Sequence, residues 1–568
     1  MTENEKSPAL TERGAEGRGF FGKLLRSPDC IFEIITTAAF ILLSLWTLIY
    51  YITGPALGYF HSDCSDSLLW SRAMLESGEI LSEDFAYAAI LPFGSPIWMV
   101  PILKIFGYTM RAHVISMCVF AVIFVLSAVF MFRSMKWKYS VSSAATFCLS
   151  MLLSGSVKLR EIMWEHVIYY SLGILLLMLA LGLAFRLYGK ISEYPNMGKA
   201  DKIWAEVYAV LLLLLCAGCA TDGGQVLVLS VLPVAGAFVA YTLFDRENKL
   251  LSDKAIKRYV VCGVMAVGVA VGLIALNVIT HGGKIYSGYG QAYSGWSAVG
   301  EWKANADLFI TQYLTLFGIE PDMTQTLFSA ESMITLVSLV GALVVLVCPF
   351  ILLFSYNKLS DRYSKMVAWA HLVLTVAVMV GFVCGRLSNV NWRLTPFLGS
   401  SVIATLVYVK HLLGDGIVLR RVGAVLAAVL LCVSLLTAGA ILDMSRNFGK
   451  ADPLGQVADT LEEKGYDRGY ATFWNASETT LRSDSAVEVI TVDINGGAVV
   501  RRAYQTMSYW FDDVEGQEDY FLLLDKSEYA VVKGSYYYRE LISRRNVIEE
   551  FTCADYQIIV FDGNVFVD

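Results

Sequence analysis

His61-Ser62-Asp63-Cys64-Ser65-Asp66, then Trp70-Ser71-Arg72-Ala73-Met74-Leu75-Glu76-Ser77-Gly78, follow directly on an apolar run from Cys30 to about Thr53. That run is long enough to cross a bilayer, which takes about 20 predominantly apolar residues. Two carboxylates placed just past a first membrane span, with further apolar spans to come, can take a proton from a substrate hydroxyl, bind a metal or cap a helix. The rest of the chain bears on that choice.

Of the 568 residues, 56% are hydrophobic and only 17% charged, with a mean hydropathy of +0.56. Soluble domains carry about 25% charged residues, so the composition specifies a polytopic membrane protein and excludes a soluble nucleic-acid binder. The net charge of -7 is uneven, with acidic residues concentrated in the C-terminal quarter. Most of the eleven cysteines fall in apolar runs, where cysteine acts as a small hydrophobe. Cys216-x-x-Cys219 has redox spacing but no companion pair, and reads as helix packing. The first thirty or so residues read as a polar, disordered cytoplasmic tail, not a cleaved signal peptide.

Apolar runs place about eleven spans, near 31–53, 112–132, 140–155, 167–187, 205–221, 225–243, 259–279, 332–355, 367–384, 394–409 and 422–442, within a membrane domain covering 31–442. Lys and Arg clusters such as Arg133/Lys136/Lys138, Arg186/Lys190/Lys199/Lys202 and Lys410/Arg420/Arg421 then fall on one side, which makes the N-terminus cytoplasmic. Loops 54–111 and 280–331 and the region 443–568 fall outside. Ile97 to Phe106 is apolar enough to lie along the membrane surface. Tyr286, Tyr289, Tyr293 and Trp296 make the second large loop either an interfacial aromatic belt or a substrate-ordering loop.

Region 443–568 changes character. Helices are expected over 453–464 and near 475–483 and 536–545, with strands over Gly469–Trp474, Ala486–Val492, Tyr520–Leu524, Tyr529–Val532 and Tyr556–Phe561. The alternation predicts a small extracytoplasmic α/β domain. It contains no phosphate loop, nucleophile elbow or ligand cluster, so docking of substrate or partner suits it better than catalysis. Asn475-Ala476-Ser477 is a formal glycosylation triplet.

Asp63 and Asp66 are neighbours if their segment is helical, and Ser and Asp at a helix start also satisfy free backbone N–H groups. Both readings stand on local sequence alone. Beyond it, the stretch from Asp63 to Gly78, with Asp84-Phe85, Pro92-Phe93-Gly94 and Phe106-Gly107, resembles the first outer loop of the GT-C superfamily of membrane glycosyltransferases. The likeness is greatest to the lipid A aminoarabinose transferases and the related protein O-mannosyltransferases. It covers about fifty residues in motif and all the spans in topology. Asp63 takes the family's essential acidic position; Cys64 stands where a second acidic residue is common, with Asp66 slightly further on. Leu91-Pro92-Phe93-Gly94 replaces the family's Lys-Pro-Pro.

The resemblance implies an all-α polytopic GT-C-type fold carrying the C-terminal α/β domain. It also implies an enzyme moving a sugar from a polyprenyl-phosphate-type carrier to a glycan, lipid or protein acceptor. Catalysis falls to Asp63 and Asp66. The short loop with Lys158, Arg160, Glu161, Glu165 and His166 supplies substrate contacts, Glu165 matching the family's second acidic position best. Arg386 and Arg393, in Arg386-Leu387-Ser388-Asn389-Val390-Asn391-Trp392-Arg393-Leu394-Thr395-Pro396, are the donor-phosphate candidates, since guanidinium pairs bidentately with phosphate. Asp222, in Thr221-Asp222-Gly223-Gly224, is either a further substrate contact or a turn. No nucleotide site is needed, and a divalent metal stays open as cofactor. A bacterial cell membrane is the expected location. The competing classes are a transporter or flippase of lipid-linked sugars, which should carry ionisable residues at span centres or repeated half-helix breaks, and a membrane scaffold, which leaves the Asp63 segment unexplained.

Overall fold

The computed structural model describes residues 28–244, 250–285, 295–321, 323–324, 326–386, 389–446 and 452–567. Among these, nine helices are long and apolar enough to span a bilayer, rising to eleven if two bent pairs each count as one span. The chain is an integral membrane protein. The third expected span is Tyr139–Leu152, only 14 residues, and the chain then turns by 115° into the short helix Val157–Trp164. The sixth is broken at Ser230 into Gly223–Leu229 and Val231–Phe244, bent by 42°. The short tenth run lengthens into Thr395–Leu413, entered through a 3₁₀ turn at Asn391–Leu394.

Local chemistry sets the helix ends. Thr109, Ser156, Ser252, Ser329 and Asp361 each accept a hydrogen bond from a backbone N–H of the first turn they precede. In the membrane, small residues bring backbones together. Gly268 and Gly272 of helix Asp253–Ile279 lie against helix Lys199–Thr221 so closely that a Cβ on Gly272 would meet the Ala217 carbonyl oxygen at 2.1 Å. Cys216 packs at the same seam, its Cβ 2.9 Å from where a Gly268 Cβ would stand.

The described parts of the segments 53–110, 153–168, 295–321, 389–394 and 452–567 come together at one end of the bundle. The first of these holds the helix Ser62–Ser77, closed at Gly78 (φ 72), whose N–H donates to the Met74 carbonyl at 3.1 Å. It also holds the apolar helix Pro96–Phe106.

The C-terminal region is a six-stranded mixed sheet with strands β1 (Arg468–Thr472), β2 (Glu488–Asn495), β3 (Ala498–Arg501), β4 (Tyr520–Asp525), β5 (Val547–Cys553) and β6 (Tyr556–Phe561). Their order is β3-β2-β1-β4-β6-β5, parallel at β2-β1 and β1-β4 and antiparallel elsewhere. Tyr529–Val532 is not a strand. Asp525 and Glu528 form a reciprocal capping box that starts the helix Lys526–Lys533 there. The hairpin through Gly496-Gly497 and the edge strand β5 were absent from the sequence expectation. Asn475 lies buried in helix Phe473–Arg482 and its amide donates to Thr472 Oγ1 at 3.3 Å, so the glycosylation triplet is not presented.

Candidate functional site

A chamber of about 670 Å³ opens between the bundle end and the sheet domain. Asp63, Asp66, Lys158, His166 and Arg393 line it together, drawn from three separate loops. An apolar cavity of about 630 Å³ adjoins it, and the two share Ala88, Ala89, Tyr169, Tyr170 and Arg393 as walls.

The first-loop helix sets the floor. His61 is its N-cap but makes no side-chain cap bond, and Asp63 occupies the first turn. Burial pushes the Asp63 carboxyl above the usual range, with His61, Glu161 and Lys158 acting on it through space. It does not cap; it faces the chamber. One turn on, Asp66 Oδ1 accepts from Gln505 Nε2 at 3.2 Å. Burial and the neighbouring Asp63 charge hold its carboxyl well above the usual range, against the pull of Arg502.

The second loop behaves differently from expectation. Glu161, not Glu165, lines the chamber. Glu161 takes Lys158 Nζ at 2.6 Å and His61 Nε2 at 3.2 Å. Lys158 Nζ also lies 5.0 Å from the Trp392 ring centre. Glu165 is 1% exposed and lies behind the wall, accepting from the Tyr51 hydroxyl at 2.5 Å; burial raises it to about 7. The reason is helical register. A helix continued past Trp164 would put position 165 on the face of 158 and 161, but the helix stops and Glu165 leaves helical geometry (φ -124). Arg160 also turns inward, donating to the Ser154 carbonyl at 3.0 Å and lying over Tyr51.

The two arginines separate. Arg393, in the 3₁₀ turn, reaches both cavities, and its Nε and one terminal nitrogen are buried with no hydrogen-bond partner among the described residues. Arg386 lines neither. It is exposed, its Nε donates to the Trp296 carbonyl at 3.2 Å, and it fastens the second large loop to a helix end. Trp296 is itself 67% exposed; Tyr286, Tyr289 and Tyr293 lie outside the described residues. Asp222 forms part of the apolar wall, but its Oδ1 accepts from the Phe93 N–H at 2.7 Å, so it holds the Leu91–Gly94 turn.

The sheet domain completes the chamber with Phe473, Trp474, Arg502, Tyr504 and Gln505, residues that no motif marked. It is fastened to the first-loop helix around Arg72, which pairs with Glu76 and Glu488, each at 2.5 Å, and lies over Tyr108 and Trp510. The domain is therefore a wall of the site as well as a lid on the loop.

No family model matches the sequence, and no curated protein matches it. The fold does match solved structures. ArnT from Cupriavidus metallidurans in the apo state superposes with a TM-score of 0.53 at 13% identity, over 95% of this chain and 100% of that one. The same protein bound to undecaprenyl phosphate gives 0.50 at 12% identity, over 94% and 99%. The chain thus has the GT-C-type fold that the first-loop motif implied, with the sheet region included in the superposition.

Proposed function

We propose that this chain is a membrane glycosyltransferase that moves a sugar from a polyprenyl-phosphate-type carrier to an acceptor hydroxyl, on the extracytoplasmic side of the membrane. The observation that carries the reading is Arg393, whose Nε and one terminal nitrogen have no hydrogen-bond partner among the described residues, at the junction of the apolar cavity and the chamber holding Asp63. A lipid phosphate ester needs an apolar channel ending at a cation with the sugar beyond it, and this is that order. The fold likeness extends to a protein solved with undecaprenyl phosphate, which supports a carrier of the same class.

In this reading the acceptor hydroxyl lies against Asp63, which takes its proton as the oxygen attacks the anomeric carbon. The bond from that carbon to the phosphate oxygen breaks, and the electron pair leaves with the phosphate. Arg393 meets the charge developing there, where a poorly hydrated site makes such stabilisation large. A single displacement inverts the anomeric centre. Asp66, held by Gln505, lines the chamber one turn further along the same helix. Lys158 and Glu161 neutralise each other at the chamber wall and leave Asp63 as the acceptor of the proton. The Lys/Arg asymmetry between the two ends of the bundle supports a cytoplasmic N-terminus and an external chamber.

A flippase of lipid-linked sugars is the second reading, and the break at Ser230 is the feature that favours it. Assay of purified protein with a polyprenyl-phosphate sugar in detergent separates them. Transfer to an added acceptor, lost in Asp63→Asn, supports the transferase. Movement of the lipid in vesicles with no transfer overturns it.

A further inference from the structure

We propose that His61, Cys64 and His166 form a zinc site that ties the start of the first-loop helix to the turn after Trp164. One ligand atom from each residue lies within 4.8 Å of the others. His61 and Cys64 come from one helical turn, closed by the Cys64 N–H donating to the His61 carbonyl at 2.9 Å. His166 arrives from a separate segment, its backbone N–H held by the Glu161 carbonyl at 3.1 Å.

Three of the four imidazole nitrogens there lack hydrogen-bond partners among the described residues. His166 is 7% exposed, and neither of its ring nitrogens has a hydrogen-bond partner among the described residues. A buried imidazole left without a hydrogen-bond partner is unfavourable, and a bound cation would supply the missing contact. His61 Nδ1 is also buried and unpartnered, while its Nε2 stands 3.2 Å from Glu161 Oε1. A carboxylate on the far nitrogen fixes the tautomer and leaves the near nitrogen's lone pair for a metal. The Cys64 sulfur lies 3.8 Å from Glu165 Oε2, so a buried carboxylate stands beside the cysteine but outside the three-residue cluster.

Two imidazoles and one thiolate give three protein donors for Zn²⁺, with the fourth position of a tetrahedral site left to water. Magnesium and calcium require oxygen donors. Ligand atoms around tetrahedral zinc stand roughly 3.3–3.6 Å apart, so the three side chains close in by about 1 Å. On binding, the Zn–S bond forms as the Cys64 S–H proton passes to water, with no change of oxidation state. His61 and His166 also line the chamber and Asp63 lies between two ligands in sequence, so the metal would fix the position of Asp63.

The test uses the full chain in detergent, stripped by a chelator and reloaded with Zn²⁺ or Co²⁺ alone. About one metal per chain is expected, and the cobalt form should display a thiolate-to-cobalt charge-transfer band with the intense visible bands of a tetrahedral centre. Cys64→Ser, nearly isosteric, should lose the charge-transfer band and most of the metal while eluting as a single species. Cys219→Ser should retain both. Sub-stoichiometric metal in the unaltered chain, or a charge-transfer band unchanged in Cys64→Ser, overturns the proposal. No sugar donor is present, so this result stands apart from that of the transfer assay.

Discussion

Gln505 joins the sheet domain to the first-loop helix, donating from Nε2 to Asp66 Oδ1 at 3.2 Å while its Oε1 accepts from Trp70 Nε1 at 3.1 Å. Gln505 holds a left-handed backbone (φ 59), kept there by its N–H donating to the Ala86 carbonyl at 2.9 Å. Side chains rarely adopt that conformation unless surrounding contacts enforce it.

Gln505→Gly relieves the backbone strain but removes the whole buried side chain, amide and stem together. Trp70 Nε1 and Asp66 then lose their partner, and a net loss of stability reports the side chain's contacts outweighing the strain. A loss on the order of 1–2 kcal/mol is expected, read as a lower unfolding temperature in detergent. A variant as stable as the parent, with equal transfer activity, would show that the amide link does nothing for the site.

Helix packing gives a paired prediction. A Cβ at Gly272 meets backbone at 2.1 Å, whereas one at Gly263 on the same helix meets nothing within 4 Å. Gly272→Ala should force the two helices apart and cost about 1–3 kcal/mol. Gly263→Ala should be neutral or add up to about 1 kcal/mol through helix propensity. Equal unfolding temperatures for the two variants would contradict the close approach.

Glu478 in the sheet domain offers a pH test. Burial raises its carboxyl to about 7, with Asp452 adding to the effect and Arg482 opposing it. The folded state therefore favours the neutral acid, while the unfolded chain ionises near 4.3. Glu478 thus lowers stability as pH rises from about 4.3 through 7, and the loss is complete above that. Glu478→Gln should match the parent near pH 4 and be more stable at pH 8. Thermal unfolding at both values decides, and a variant less stable than the parent at pH 8 would reverse the sign.

The first-loop helix was legible because its start and its Gly78 stop are local signals, and the spans because hydropathy needs no tertiary knowledge. Glu165 was not legible as a buried residue. Its displacement depends on where a short helix ends, one residue before it. Arg386 and Arg393 are seven residues apart in one loop, and only the 3₁₀ turn separates a structural from a chamber position. Phe473, Trp474, Arg502 and Gln505 are more than three hundred residues from Asp63, so no spacing rule could place them beside it. Edge strand β5 carries Glu549 and Glu550 in place of an apolar alternation, which hid it.

Arg393 should be sensitive to a change that keeps its charge. Arg393→Lys retains one positive centre but loses the planar fork that pairs with two phosphate oxygens. Binding of a polyprenyl phosphate should weaken by roughly tenfold or more, the equivalent of about 1.4 kcal/mol. Arg386→Lys should leave it unchanged, because that side chain lies outside both cavities. Equal weakening in both variants would remove Arg393 from its place in the proposal.

Asp63 distinguishes a base from a structural carboxylate. Its side chain makes no cap bond and faces the chamber, so Asp63→Asn should fold normally. An amide cannot accept a proton near neutral pH, and a base role then predicts transfer reduced by about a hundredfold or more, with donor affinity retained. Asp66→Asn keeps an oxygen for the Gln505 amide and should be milder. If Asp66→Asn abolishes transfer while Asp63→Asn does not, the two carboxylates exchange roles. In that case the proton passes to the residue held by the sheet domain, and the domain becomes part of the catalytic apparatus. If neither substitution changes the rate, proton transfer to this helix is not part of the reaction, and the chamber must be read as the mouth of a lipid pathway.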